Sequence, residues 1–172
     1  MLVRREAAGD AAAIRAVTAA AFGRPGAVGL PAEATLVDEL RASDAWRPNL
    51  SLVATGDAGA VIGHVVCTRG RVGDAPALAL GPLSVRPDSQ RRGVGSALMH
   101  AVLGAADALG EPLVALLGSP GYYRRFGFVL SDTCDIAAPR PEWQPHFQVR
   151  LLSAFRPGLR GTFAYPEPFD RT

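Results

Sequence analysis

The sequence predicts a single α/β domain, with about four helices flanking a mixed sheet of six to seven strands. Three observations carry that expectation. Strand-like runs and helical periodicities alternate along the chain without repeat or linker, so residues 1–172 read as one domain. Over residues 78–109 a strand, a glycine-containing loop and a long amphipathic helix follow one another. The run 113–117 is continuously apolar and of strand length, as a central strand covered on both faces requires.

The elements follow in order. Residues 2–6 form a short opening strand. Asp10 is expected to cap a helix running to about Phe22, with Ile14, Val17, Thr18 and Ala21 as its buried stripe. The Gly- and Pro-rich stretch 23–31 is loop, and a second helix over 32–42 buries Leu36, Val37 and Leu40. Strands at 50–54 and 61–67, the latter extending as far as 72, are expected to pair as a hairpin across Gly56-Asp57. Residues 78–85 are the next strand. In the helix over 93–109, Val94, Leu98, Ala101, Val102, Ala105 and Leu109 recur at helical spacing, and Gly110 stops it. Ser119 and Pro120 read as N-cap and first residue of a short helix ending near Gly127. Short strands at 129–130, 147–152 and 161–165 lie among prolines.

Composition narrows the class. The 172 residues suffice for one full core and are too few for two ordinary domains. The chain is 48% hydrophobic and 20% charged, which is globular rather than disordered. A net charge of +2 argues against a nucleic-acid surface. No run is long enough to span a bilayer, and no apolar leader is evident, so a cytoplasmic protein with no membrane partner is expected. Cys67 and Cys134 then read as packing residues, and His64, His100 and His146 are too scattered to suggest a metal.

The stretch Gln90-Arg91-Arg92-Gly93-Val94-Gly95-Ser96 says most about chemistry. It links a strand to a helix, so backbone N–H groups gather where the helix dipole favours an anion. Gly93 and Gly95 let a ligand approach the backbone, and Arg91 and Arg92 add positive charge. The site suits a pyrophosphate.

The hexapeptide 90–95 resembles the Q/R-x-x-G-x-G/A signature of the GNAT superfamily of acyl-CoA-dependent N-acyltransferases. A second stretch, Tyr123-Arg124-Arg125-Phe126-Gly127-Phe128, resembles the Y-x-K/R-x-G-F segment that these proteins carry after the fifth strand. Tyr122-Tyr123 with the R-F-G-F ending, and the G-x-x-x-Y-P-x-x-F close from Gly161, look like a largely uncharacterised bacterial branch.

The resemblance implies a sheet splayed between strands four and five, with acetyl-CoA as cosubstrate and no metal. Leu83 and Val85, with Ser84 between them, would bond the pantetheine arm through their backbones. Gln90, Arg91, Arg92, Gly93, Val94, Gly95 and Ser96 would hold the pyrophosphate, and Ser119 would contact pantetheine. Tyr123 would protonate the departing thiolate, and its neighbour Tyr122 would be packing or pocket wall. The strand-four acid of many relatives is absent from 77–85. Glu33 is the best carboxylate for the acceptor site. The acceptor would be a small-molecule or peptide amine, and the protein a monomer or homodimer. The rival reading is a CoA-binding regulatory module without turnover. A dinucleotide-binding domain is disfavoured, because 90–95 lacks the G-x-G-x-x-G order and follows the fourth strand rather than the first.

Overall fold

The structure, a computed structural model, describes residues 1–26 and 28–171. The strands are β1 (Leu2–Arg5), β2 (Ser51–Thr55), β3 (Val61–Val72), β4 (Ala75–Val85), β5 (Leu113–Leu117), β6 (Val129–Leu130), β7 (Ile136–Ala137), β8 (Phe147–Leu151) and β9 (Gly161–Ala164). The helices are α1 (Ala11–Phe22), α2 (Ala32–Arg41), α3 (Val94–Ala108) and α4 (Pro120–Tyr123), with short 3-10 turns between.

The hydrogen-bonded path runs β1-β2-β3-β4-β5-β8-β6, and only β4 and β5 along it are parallel. Two further strands branch off: β9 pairs with β3, and β7 with β9. The sheet therefore exceeds the six to seven strands expected. Strand β7 has two residues, too few for a period to show.

Side chains alternate across the sheet at the strand period of two. Leu52, Leu78, Leu80, Val114 and Leu116 face α3, where Leu98, Met99 and Val102 close the larger core. Val53 faces α1 and α2, meeting Ile14 and Val37. Ala77, Ala79, Leu113 and Ala115 face a third cluster built with Phe147, Phe163 and Ile136 from the C-terminal segment. Strand β5 is thus covered on both faces, as its unbroken apolar run predicts.

Two local expectations are corrected. Asp10 stands before α1, but its carboxylate accepts from Arg4 at 2.6 and 3.1 Å and from the Ala7 N–H at 2.7 Å, not from the helix. An arginine donates charge-assisted bonds that a helix N–H cannot match. Leu109 is exposed, because α3 ends at Ala108 and Gly110 turns the chain at φ 74°. Met99, Leu103 and Ala106 complete the buried stripe instead.

Candidate active site

The site begins with a defect in β4. Val65 pairs with Leu83 and Cys67 with Leu80, so Gly81 and Pro82 together stand opposite Val66. This bulge adds a residue to one strand and bends it. Gly81 takes φ 147°, which glycine tolerates, and Pro82 has no N–H to offer a neighbour. Pairing between β4 and β5 stops just before the bulge, at Leu78 with Val114 and Ala79 with Ala115. Strand β5 stays paired with β8 to Leu117. The two strands therefore part towards their C-terminal ends and leave a gap.

Backbone groups are aimed into that gap. Beyond β4, the Arg86 N–H donates to Ile62 O at 2.9 Å, which makes Arg86·Ile62 and, two residues back, Ser84·His64 the bonded pairs. Leu83 and Val85 then turn their N–H and C=O groups away from β3. The Val85 carbonyl accepts from Gln90 Nε2 at 3.0 Å. Ser84 is buried and its hydroxyl lies 3.1 Å from that of Thr18 on α1, so its side chain is committed elsewhere.

At the end of β4 the chain turns tightly. Arg91 takes φ 57° and Gly93 φ 85°. Left-handed residues among right-handed ones gather N–H groups into a concave nest, which attracts anions. Holding a non-glycine residue there is strained, a feature common at ligand sites. The helix bonds of α3 begin with Ala97 N–H to Gly93 O at 2.9 Å, which leaves the N–H groups of Val94, Gly95 and Ser96 without an intrahelical acceptor. Gln90, Arg91, Arg92 and Gly93 are exposed, and Ser96 is half-buried. Val94 is buried in the core, so only its backbone faces outward. The two glycines differ in purpose. A Cβ on Gly93 would meet open space, so its backbone angle selects glycine, whereas a Cβ on Gly95 would lie 3.0 Å from Tyr122 Oη.

The other side of the gap carries Tyr123. Gly118 N–H donates to His146 O at 3.0 Å, and buried Gln148 donates to Gly118 O at 3.0 Å, which fixes the turn after β5. Ser119 accepts at its carbonyl from the N–H groups of Tyr122 and Tyr123, starting α4, while its exposed side chain makes no capping bond. Phe126 and Phe128 are buried anchors on either side of Gly127, and the Tyr123 ring packs edge to face on Tyr122 and Phe128 at 4.9 and 5.9 Å. Burial, with Tyr122 beside it, pushes the Tyr123 hydroxyl up to about 12. Tyr122 faces the β4 side, lining a cleft of about 330 Å³ with Leu83, Val85, Gln90, Arg91 and Gly95.

Beyond Tyr123 a cavity of about 310 Å³ fills the gap between Leu80–Leu83 and Leu116–Leu117. Glu33 of α2 lines it. So do Phe22, Trp143, Tyr165 and Phe169, which the sequence did not single out as site residues. Tyr165 is the most informative of these. A hydrogen bond from the Leu117 backbone favours its phenolate, so the N–H is the donor, but burial dominates and holds the hydroxyl far above the usual tyrosine range. Its place in the C-terminal Y-P signature was the only advance signal. Phe22 and Glu33 also line an outer cavity of about 550 Å³ bounded by the loop between α1 and α2. Phe22 borders all three spaces. Asp132, Asp135 and His146 are exposed and line none of them. Among the described residues no cluster of His, Cys, Asp or Glu could hold a metal, and no helix is long and apolar enough to cross a membrane.

A mixed sheet parted between two parallel strands, with an anion nest at one lip and a buried tyrosine at the other, is the architecture of an acyl-transferring fold. Residues 18–128 match the family model described as acetyltransferase (GNAT) family, and the chain belongs to that family. YhbS of Escherichia coli K12, an uncharacterized N-acetyltransferase, is 35% identical over 176 residues, covering 99% of each chain. Its crystal structure in complex with CoA matches at a TM-score of 0.89 and 33% identity, covering 99% of this chain and 92% of that one. A GNAT family acetyltransferase from Brucella melitensis in complex with acetyl-CoA matches at 0.79 and 38% identity, covering 98% and 97%.

Proposed function

We propose that the protein transfers an acetyl group from acetyl-CoA to a primary amine by direct attack, in the gap between β4 and β5. The observation that carries this reading is the parting of the strands after Ala79 and Ala115, with the nest and Tyr123 on its two sides.

Acetyl-CoA supplies the acyl group as a thioester, whose departing sulfur needs a proton. The N–H groups of 91–96 receive the pyrophosphate, with Arg91 and Arg92 adding charge from solvent. The Leu83 C=O and the Val85 N–H bond the pantetheine arm as an added strand, while Gln90 already occupies the Val85 carbonyl. The Ser119 hydroxyl, free of capping duty, is placed on the arm's other side. The Leu83 N–H, next to a proline that has none, stabilises negative charge on the carbonyl oxygen.

Tyr123 is the general acid. Its raised pKa keeps the proton on at any working pH, and the apolar surroundings that raise it also raise a thiol. Desolvation disfavours a thiolate as it disfavours a phenolate, so it strengthens the leaving sulfur's demand for the proton and narrows the mismatch between donor and acceptor. An ammonium acceptor loses two protons overall: one reaches sulfur through Tyr123, the other passes to Glu33 and solvent.

Strand β4 lacks an acid, which favours the rival reading of a CoA-binding module without turnover; the carboxylate of Glu33 in the same cavity opposes it. Thiol release from acetyl-CoA in the presence of amines separates the two. Binding of acetyl-CoA without amine-dependent release from any amine tested would leave only the binding module.

A further inference from the structure

The acceptor end of the gap has a composition that selects a chemical class. Helix α2 carries three acids, Glu33, Asp38 and Glu39. Asp38 pairs with Arg15 and Arg41, and Glu39 with Arg171. Among the described residues no ion pair or hydrogen bond engages Glu33. Glu33 lines the gap cavity, and none of the chain's 18 basic residues does. Arg24 and Arg91 line the neighbouring cavities, and Arg140 stacks on the Trp143 ring at 4.9 Å without lining this one.

Much of the rest of this cavity's wall is aromatic. Tyr165 packs on Phe169 at 4.5 Å and on Trp143 at 6.4 Å. Phe147 and Phe163 hold Tyr165 from behind at 6.1 and 5.0 Å. The rings support one another, so this wall is in place before a ligand arrives. Aromatic faces attract a cation and cover an apolar body. A carboxylate on the same ligand would sit near Glu33 with no basic residue lining the cavity to pair with it, and a second ammonium would face hydrocarbon. The cavity, about 310 Å³, is at the small end for ligand pockets.

We propose that the acceptor is a small monocationic amine with an apolar or aromatic body and no carboxylate. Glu33 holds its ammonium, and the Trp143, Tyr165 and Phe169 wall holds its body. This rests on the transfer reading above and narrows its acceptor.

The test uses the purified full chain with saturating acetyl-CoA, reading thiol release and the mass of the acetylated amine. Phenethylamine is compared with phenylalanine, which adds only a carboxylate, and with spermidine, which adds charge. The expected kcat/KM for phenethylamine exceeds both by about 100-fold or more. Glu33→Gln is expected to raise the KM for phenethylamine at least about tenfold, while acetyl-CoA affinity by calorimetry stays unchanged. Phenylalanine or spermidine used as well as phenethylamine would overturn the acceptor class and leave the transferase standing. An unchanged KM in the Gln variant would overturn the role of Glu33. A protein that binds acetyl-CoA but acetylates none of the three fails on the class, and a wider amine panel then decides whether transfer itself fails.

Discussion

A Cβ added to Gly118 would collide with Cε2 of Tyr123, so the ring of Tyr123 occupies the space any side chain at 118 would need. The backbone at 118 cannot retreat, because its N–H is bonded to His146 and its carbonyl to Gln148. The glycine after β5 thus positions the proposed acid.

Gly118→Ala should therefore displace the tyrosine ring rather than the strand. The expected outcome is a stability loss of about 1–3 kcal/mol, typical of overpacking, with a fall in kcat. Thermal melts and kcat against phenethylamine or another accepted amine measure both. A variant as stable and as active as the parent would mean that the contact is not maintained in solution.

Tyr123→Phe keeps the ring and its packing on Tyr122 and Phe128 while removing the proton. Its kcat should fall by about 100-fold or more, the scale of general acid catalysis, with acetyl-CoA affinity nearly unchanged. The loss should shrink with a thioester of a more acidic thiol. Near-normal kcat would demote Tyr123 to packing and leave positioning to carry the reaction.

The two glycines of the nest should respond differently. Gly93→Val forces a branched side chain to φ 85°, so the turn reshapes at a cost of about 1–2 kcal/mol or more, and CoA affinity should drop at least tenfold. Gly95→Val places its side chain against Tyr122 Oη, crowding the β4 cleft as well as the nest. Calorimetry with CoA reads both, and unchanged binding in Gly95→Val would sink the assignment of this loop to the pyrophosphate.

Stability should depend on pH through His64. This residue is fully buried, with Nε2 2.9 Å from Ser51 Oγ and Nδ1 unpartnered. Burial, reinforced by Arg41 and opposed by Asp10, depresses it to about 3. The unfolded chain binds the proton from about pH 6.5 downward, while the folded one does not until about pH 3. Stability is therefore complete above about pH 6.5 and declines as pH falls towards 3. Urea midpoints at pH 7.5 and pH 5 bracket part of this window, above the range where Asp10, itself lowered by Arg4, would contribute. His64→Gln should flatten the difference between the two midpoints.

Local chemistry carried much of this structure in advance. The period of 3.6 placed α1, α2 and α3, and the apolar run placed β5 to the residue, because these patterns depend on neighbours along the chain. The strand–glycine–helix turn at 90–96 was legible for the same reason, since φ preferences and free N–H groups are properties of a short segment. Tertiary structure alone decided the rest. The gap depends on a register in which Gly81 and Pro82 share one partner, Val66, on another strand. The acceptor cavity joins Phe22 and Glu33 to Trp143, Tyr165 and Phe169, more than 100 residues away. Burial by non-local neighbours pushes the Tyr123 hydroxyl up to about 12. Cavities, registers and desolvation arise from non-local packing, and no window of the sequence contains both sides of the contact.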